Sequence, residues 1–173
     1  ATGAAVANLP PSVRFRRGDL AVARLSGLAL AEAGQESRIV ATFGFHKAES
    51  NVVRALAAGE PRTWWADLHG QTRATVGTGT VEEYFTFGRD VAMLDVMCHQ
   101  ANDFQVTTAD WEELKRDTRR FNEPGRCVVL LGYEWSGPTP GGGDRNVIFR
   151  GDDGPLHRSS HAEVDDVTDA ADD

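Results

Sequence analysis

Between Thr63 and Trp135 the hydrophobic pattern switches repeatedly between two periods, and that alternation limits the fold more tightly than any other feature of the chain. TWWADLH (63–69) reads as a strand. A helix is predicted from Val81 to Val91, opened by a Thr80/Glu83 capping box and carrying Tyr84, Phe85, Gly88 and Val91 on one face. MLDVMC (93–98) is a second, buried strand. A second helix is predicted from Asp110 to Phe121, with Trp111, Leu114, Thr118 and Phe121 in one stripe and a stop before Pro124-Gly125. CVVLLGYEW (127–135) is apolar and continuous, as a strand buried on both faces should be, and RNVIF (145–149) adds a fourth strand. Strands alternating with helices of this length read as βαβ units, so the fold class is α/β.

Residues 12–58 follow a different rule. Short alternating runs separated by Gly18, Gly27 and Gly34 indicate a small β-rich unit, with a helix over AVARLSGLALAEA as the alternative. The pattern changes near Pro61, which sets two expected domains, 1–60 and 61–173. Hydrophobic residues at 40% and charged residues at 25% are globular values. No apolar run approaches the ~20 residues that span a bilayer, and ATGAAVANLPP lacks the pattern of a signal peptide, so no membrane partner is expected. A net charge of −8 argues against nucleic acid as a partner. Cys98 and Cys127 sit in apolar strands without metal-type spacing and read as buried free thiols, which points to a reducing, cytoplasmic setting. The run DDVTDAADD from Asp165 reads as a solvated acidic tail or a mobile loop.

The carboxyl ends of parallel strands share one face, so residues there converge although far apart in sequence. His69 and Gln71 follow the first strand, His99, Asn102 and Asp103 the second, and Glu134 closes the third. A glycine-rich loop with Asp144, Arg145 and Asn146 comes next, and His157 and His161 follow the fourth strand. Imidazole nitrogens and carboxylate oxygens on a rigid frame suit a divalent metal, which lowers the pKa of a bound water towards about 7. Each piece also has a structural reading. A histidine ending a strand can serve only as a hydrogen-bonding residue, Asp144 and Asn146 can shape a turn, and His46, His157 and His161 can be structural or exposed. Glu134 resists that reading, since a carboxylate between Tyr133 and Trp135 is expensive unless paired. A dinucleotide site at GTGT (77–80) is rejected, because Glu82 stands at the third glycine position and Glu83 follows it.

Residues 62–150 resemble domain-of-unknown-function family 3604, a branch of the polymerase and histidinol phosphatase (PHP) superfamily. WADLHGQT, GTVEEYFTFGRDVAMLDV, FNEPGR, VVLLGYEWSG and GGGDRNVIF, in that order, carry the resemblance. It implies an irregular seven-stranded (β/α) barrel and a di- or trinuclear metal site that hydrolyses phosphate esters. The chain departs from the superfamily pattern at three places. His69-Gly70-Gln71 replaces His-x-His, CHQAND replaces Thr-Asp-His so that Asn102 aligns with the histidine, and Asp144 stands where many relatives carry histidine.

The expectation is therefore a partial PHP-like (β/α) barrel preceded by a small β-rich unit. Its function would be a metal-dependent hydrolase, a phosphoesterase using a metal-activated water on a small-molecule ester. His69, Gln71, His99 and Glu134 are the expected ligands of divalent zinc, manganese or iron; Asp103 would move a proton or orient water, and Arg145 would stabilise phosphoryl charge. Four strands are too few for a closed barrel, so a partner chain or further polypeptide is expected to complete it. The alternative function is a non-catalytic binding module on a degenerate barrel.

Overall fold

The computed structural model describes residues 3–137 and 142–159, so His161 and the acidic run from Asp165 lie outside the described residues. The chain divides into two units at Thr63/Trp64. The first holds two antiparallel pairs, β1 (Glu36–Ser37) with β4 (Val53–Arg54) and β2 (Val40–Phe43) with β3 (His46–Glu49). Gly44, at φ 58°, opens the tight turn between β2 and β3, where a positive φ matches the twist of the hairpin. The alternative helix over AVARLSGLALAEA does not form. Leu20, Ala21 and Gly27 all have positive φ, and Ala29 bridges Ala7 instead. Ser37 is the one buried residue described in this unit.

The second unit alternates as its sequence requires. Its elements are β5 (Ala66–Gly70), α1 (Val81–Thr86), β6 (Val96–His99), β7 (Ala101–Asn102), α2 (Thr108–Phe121), β8 (Val128–Leu130), β9 (Gly132–Trp135) and β10 (Arg145–Ile148). β5, β6 and β8 form a parallel sheet in that order, and a second sheet runs β10-β9-β7. The expected second strand forms only from Val96, and past Gln100 the chain continues as β7 in the second sheet; the expected third strand breaks at Leu131 and likewise crosses from the first sheet to the second. β7 and β9 stay parallel, whereas β10 is antiparallel to β9, because the segment 136–144 is shorter than the dozen residues of a parallel crossover. That reversal brings Arg145 and Asn146 beside Trp135 and Glu134. Among the described residues the strands form these small sheets and no closed barrel.

α1 has the predicted Thr80/Glu83 capping box, and α2, which starts at Thr108, has a second one joining Thr107 to Asp110. α2 buries Trp111, Leu114, Thr118 and Phe121, against a core that includes Phe85, Met97, Val129 and Tyr133. Burial of each large side chain stabilises the fold by about 1.5–3 kcal/mol. α1 is shorter than expected: after Thr86 the chain widens into a π-helical turn over Phe87–Val91. Gly88 lies in that turn, and Met97 Sδ stands 2.1 Å from where a Cβ would be. No helix among the described residues is long and apolar enough to cross a membrane.

Tyr84 ties α1 to the end of β5 in the same manner. A Cβ on Gly70 would lie 2.1 Å from Tyr84 Cζ, so the aromatic ring fills the space above the strand end. Gly70→Ala should therefore cost about 1–3 kcal/mol by overpacking. Urea unfolding of the two proteins checks it, and an unchanged midpoint would refute the close packing.

Candidate functional site

The site begins with an irregularity in β5. Ala66 pairs with Val96 and Asp67 with Met97, but the next pair is Gly70 with His99, so Leu68 and His69 together oppose one residue of β6. Such a bulge re-aims side chains. Asp67 stabilises it by accepting a hydrogen bond from the His69 backbone N–H at 3.1 Å. His69 then meets Asn146 Oδ1 through Nδ1 at 2.9 Å, while Nε2 stands 3.6 Å from Glu134 Oε2. An amide oxygen only accepts, so Nδ1 is the donor in this contact, and in the neutral ring Nε2 then carries the lone pair.

Glu134 is the centre of the arrangement. Register places Asn102 of β7 and Asn146 of β10 directly opposite it on either side. Glu134 is 8% exposed, and its Oε2 accepts from Gln71 Nε2 and from Asn102 Nδ2, both at 2.8 Å. Two hydroxyls also bond to those amides. Thr75 Oγ1 donates to Gln71 Oε1, and Asn102 Nδ2 also reaches Ser136 Oγ at 3.3 Å. Asn102 Oδ1 is buried and finds no partner among the described residues.

Of the residues singled out in the sequence, His69, Gln71 and Glu134 come together, joined by Asn102. His99 does not join them. It is 1% exposed, bonded through Nε2 to Thr72 Oγ1 at 2.9 Å, and set edge-on to Tyr84 at 5.9 Å. Asp103 is fully buried, with Oδ1 accepting from Ser136 N at 2.7 Å and Oδ2 from Ser159 N. Two backbone donors on its two oxygens make it a clasp between loops. Arg145 is exposed and folds Nη1 back onto the Gly142 and Gly143 carbonyls at 3.2 and 2.9 Å. His157 is exposed, with its backbone bonded to Tyr133, and His46 lies against Phe45 at 4.2 Å. Asn146, Thr75 and Ser136 were not selected as site residues from sequence. Only Asn146 carried a signal, its place in the glycine-rich loop after Glu134.

The donor set bears directly on a metal. His69 Nε2 and Glu134 Oε2 stand 3.6 Å apart, beyond hydrogen-bond reach, and Asn102 Oδ1 is unpaired among the described residues. Imidazole, carboxylate and amide oxygen suit a divalent cation that completes its shell with water or substrate. They do not suit a closed structural zinc site, which needs four strong donors, and no group of three or more His, Cys, Asp or Glu forms among the described residues.

Burial lowers the His99 imidazole from its ordinary 6.5 to about 4. The folded state then binds fewer protons than the unfolded chain, so the associated stability is complete above pH 6.5 and declines as pH falls towards about 4. Stability should drop by up to about 1.4 kcal/mol per pH unit across that window. His99→Gln should flatten the slope relative to the parent in denaturation series at several pH values, and parallel profiles would refute it.

A family model described as "Protein of unknown function (DUF3604)" matches residues 41–172. An uncharacterized protein of Chlamydia muridarum (strain MoPn / Nigg) is 23% identical over 99 residues, covering 56% of this chain and 16% of that protein. The chain thus spans less than a fifth of that relative's length. No solved structure matches.

Proposed function

This chain belongs to the DUF3604 family, and from that premise we propose that its second unit carries part of a PHP-type hydrolase site acting on a small-molecule ester, foremost a phosphate ester. The observation that carries this reading is the facing pair His69 Nε2 and Glu134 Oε2, 3.6 Å apart at the carboxyl edge of the strands. His69 and Glu134 would hold a divalent zinc, manganese or iron ion, with Gln71 and Asn102 beside it. When bound, the cation supplies Lewis acidity towards an ester oxygen and lowers the pKa of water. Asn146 holds the His69 ring and its tautomer, as the outer partner of a ligating histidine does. Arg145 would have to leave the Gly142 and Gly143 carbonyls to place its charge on a phosphoryl group. Asp103 acts by positioning, because both its oxygens are already taken.

Leu68 and Val128, on the outer strands of the parallel sheet, stay 40% and 41% exposed, which supports completion of a PHP-like barrel by further polypeptide or a partner chain. Cys98 and Cys127 are buried and form no disulfide, and burial pushes the Cys98 thiol up to about 11, which supports inert thiols in a reducing, cytoplasmic setting.

A second reading, a non-catalytic binding module, is favoured by Gln71 and Asn102 already meeting Glu134 Oε2. Hydrolysis of p-nitrophenyl phosphate by the full chain with added Mn2+ separates the two. Turnover that a chelator abolishes is the expected outcome. Cation binding without turnover of phosphate, sulfate or carboxylate esters would favour the module.

A further inference from the structure

The two amides beside Glu134 are held in a manner that leaves their direction reversible. Each is bonded to a hydroxyl: Gln71 to Thr75, and Asn102 to Ser136. A hydroxyl both donates and accepts, so each bond survives a half-turn of its amide once the hydroxyl hydrogen rotates. The present direction satisfies Glu134 Oε2 with two N–H groups, yet it leaves Asn102 Oδ1 buried and unpaired among the described residues. An unpaired buried acceptor carries a desolvation penalty. The reverse direction gives that oxygen the Ser136 hydroxyl as a donor but turns the NH2 group into the unpartnered position, so without a cation the present direction is favoured. Reversal also sets an amide oxygen against the carboxylate oxygen, 2.8 Å from the present nitrogen, which is repulsive unless positive charge intervenes.

We propose that Gln71 and Asn102 are reversible amide ligands: they donate N–H bonds to Glu134 when the site lacks a cation and turn their oxygens towards it when a divalent cation binds. Thr75 and Ser136 are the positioning residues that permit both directions. This rests on the cation reading above and adds how a site with only two strong donors holds a cation. The amides stand in for the missing positive charge, and the cation must displace them. Replacing either amide by a carboxylate removes that competition and adds an anionic donor.

The test uses side-chain amide NMR and calorimetry on the full chain, with Zn2+ alone as the probe. On titration, the Asn102 and Gln71 NH2 resonances should shift together and exchange faster with solvent. Asn102→Asp should bind Zn2+ at least ~10-fold more tightly than the parent, the scale of change seen when a metal site gains or loses a partner. Gln71→Glu, at a half-buried position, gives the same comparison should Asn102→Asp fail to fold. Zn2+ binding that depends on His69 but leaves both NH2 resonances unmoved would overturn the reversal and leave the cation reading standing. Binding to the carboxylate variants but not to the parent would also overturn it, since the amides then do not yield. Absence of binding to parent and variants alike would overturn both.

Discussion

Asp103→Ala should destabilise the second unit by roughly 1–4 kcal/mol, because a buried donor, Ser159 N, loses its acceptor at about 1–3 kcal/mol and a half-buried one, Ser136 N, loses less. Those donors, Ser136 N and Ser159 N, belong to the loop after β9 and to the segment after β10. Arg158 reinforces the join by donating to the Asp103 and Val106 carbonyls. Asp103→Asn keeps one acceptor and should recover about half of the loss. Ser136 also touches Asn102, so the alanine variant should weaken cation binding more than its position outside the ligand set suggests. Denaturant midpoints and cation titration of the two variants check both statements. An alanine variant of full stability would show that the clasp contributes nothing.

The contrast between α2 and His99 shows what the sequence could reveal. Trp111, Leu114, Thr118 and Phe121 recur at helical spacing between a capping threonine and Pro124-Gly125, and local chemistry alone fixes which face is buried. The direction of His99 depends instead on parity within a strand, which flips with any one-residue irregularity. The bulge at Leu68-His69 and the break at Gln100 are such irregularities. Together they put His69 beside Glu134 and His99 against Thr72. The Leu131 break was hidden for a similar reason, since an apolar run looks the same whether it serves one sheet or two. Asp103 looked like a free acid because its partners come from loops remote in sequence. Glu134 was legible, because a carboxylate ending an apolar strand needs partners, and it has them in Gln71 and Asn102.

Glu134→Leu should cost about 2–4 kcal/mol without any cation, since the Gln71 and Asn102 donors lose their common acceptor. Glu134→Gln keeps an oxygen and forfeits only the charge-assisted part of those bonds, about 1 kcal/mol. Cation binding separates the variants from the parent differently. Both lack the anionic donor, so both should bind a divalent cation at least ~10-fold more weakly, whatever their stability. Equal stability of the leucine variant and the parent would show that the two amides are satisfied elsewhere.

The most direct measurement is calorimetric titration of Mn2+ into the full chain and into His69→Ala. His69 is half-exposed, so its removal spares the core while deleting one partner of the His69–Glu134 pair. The expected result is saturable, stoichiometric binding to the parent and at least ~10-fold weaker binding to the variant. Equal affinity in the two proteins, or no binding to the parent, would contradict a cation site between His69 and Glu134.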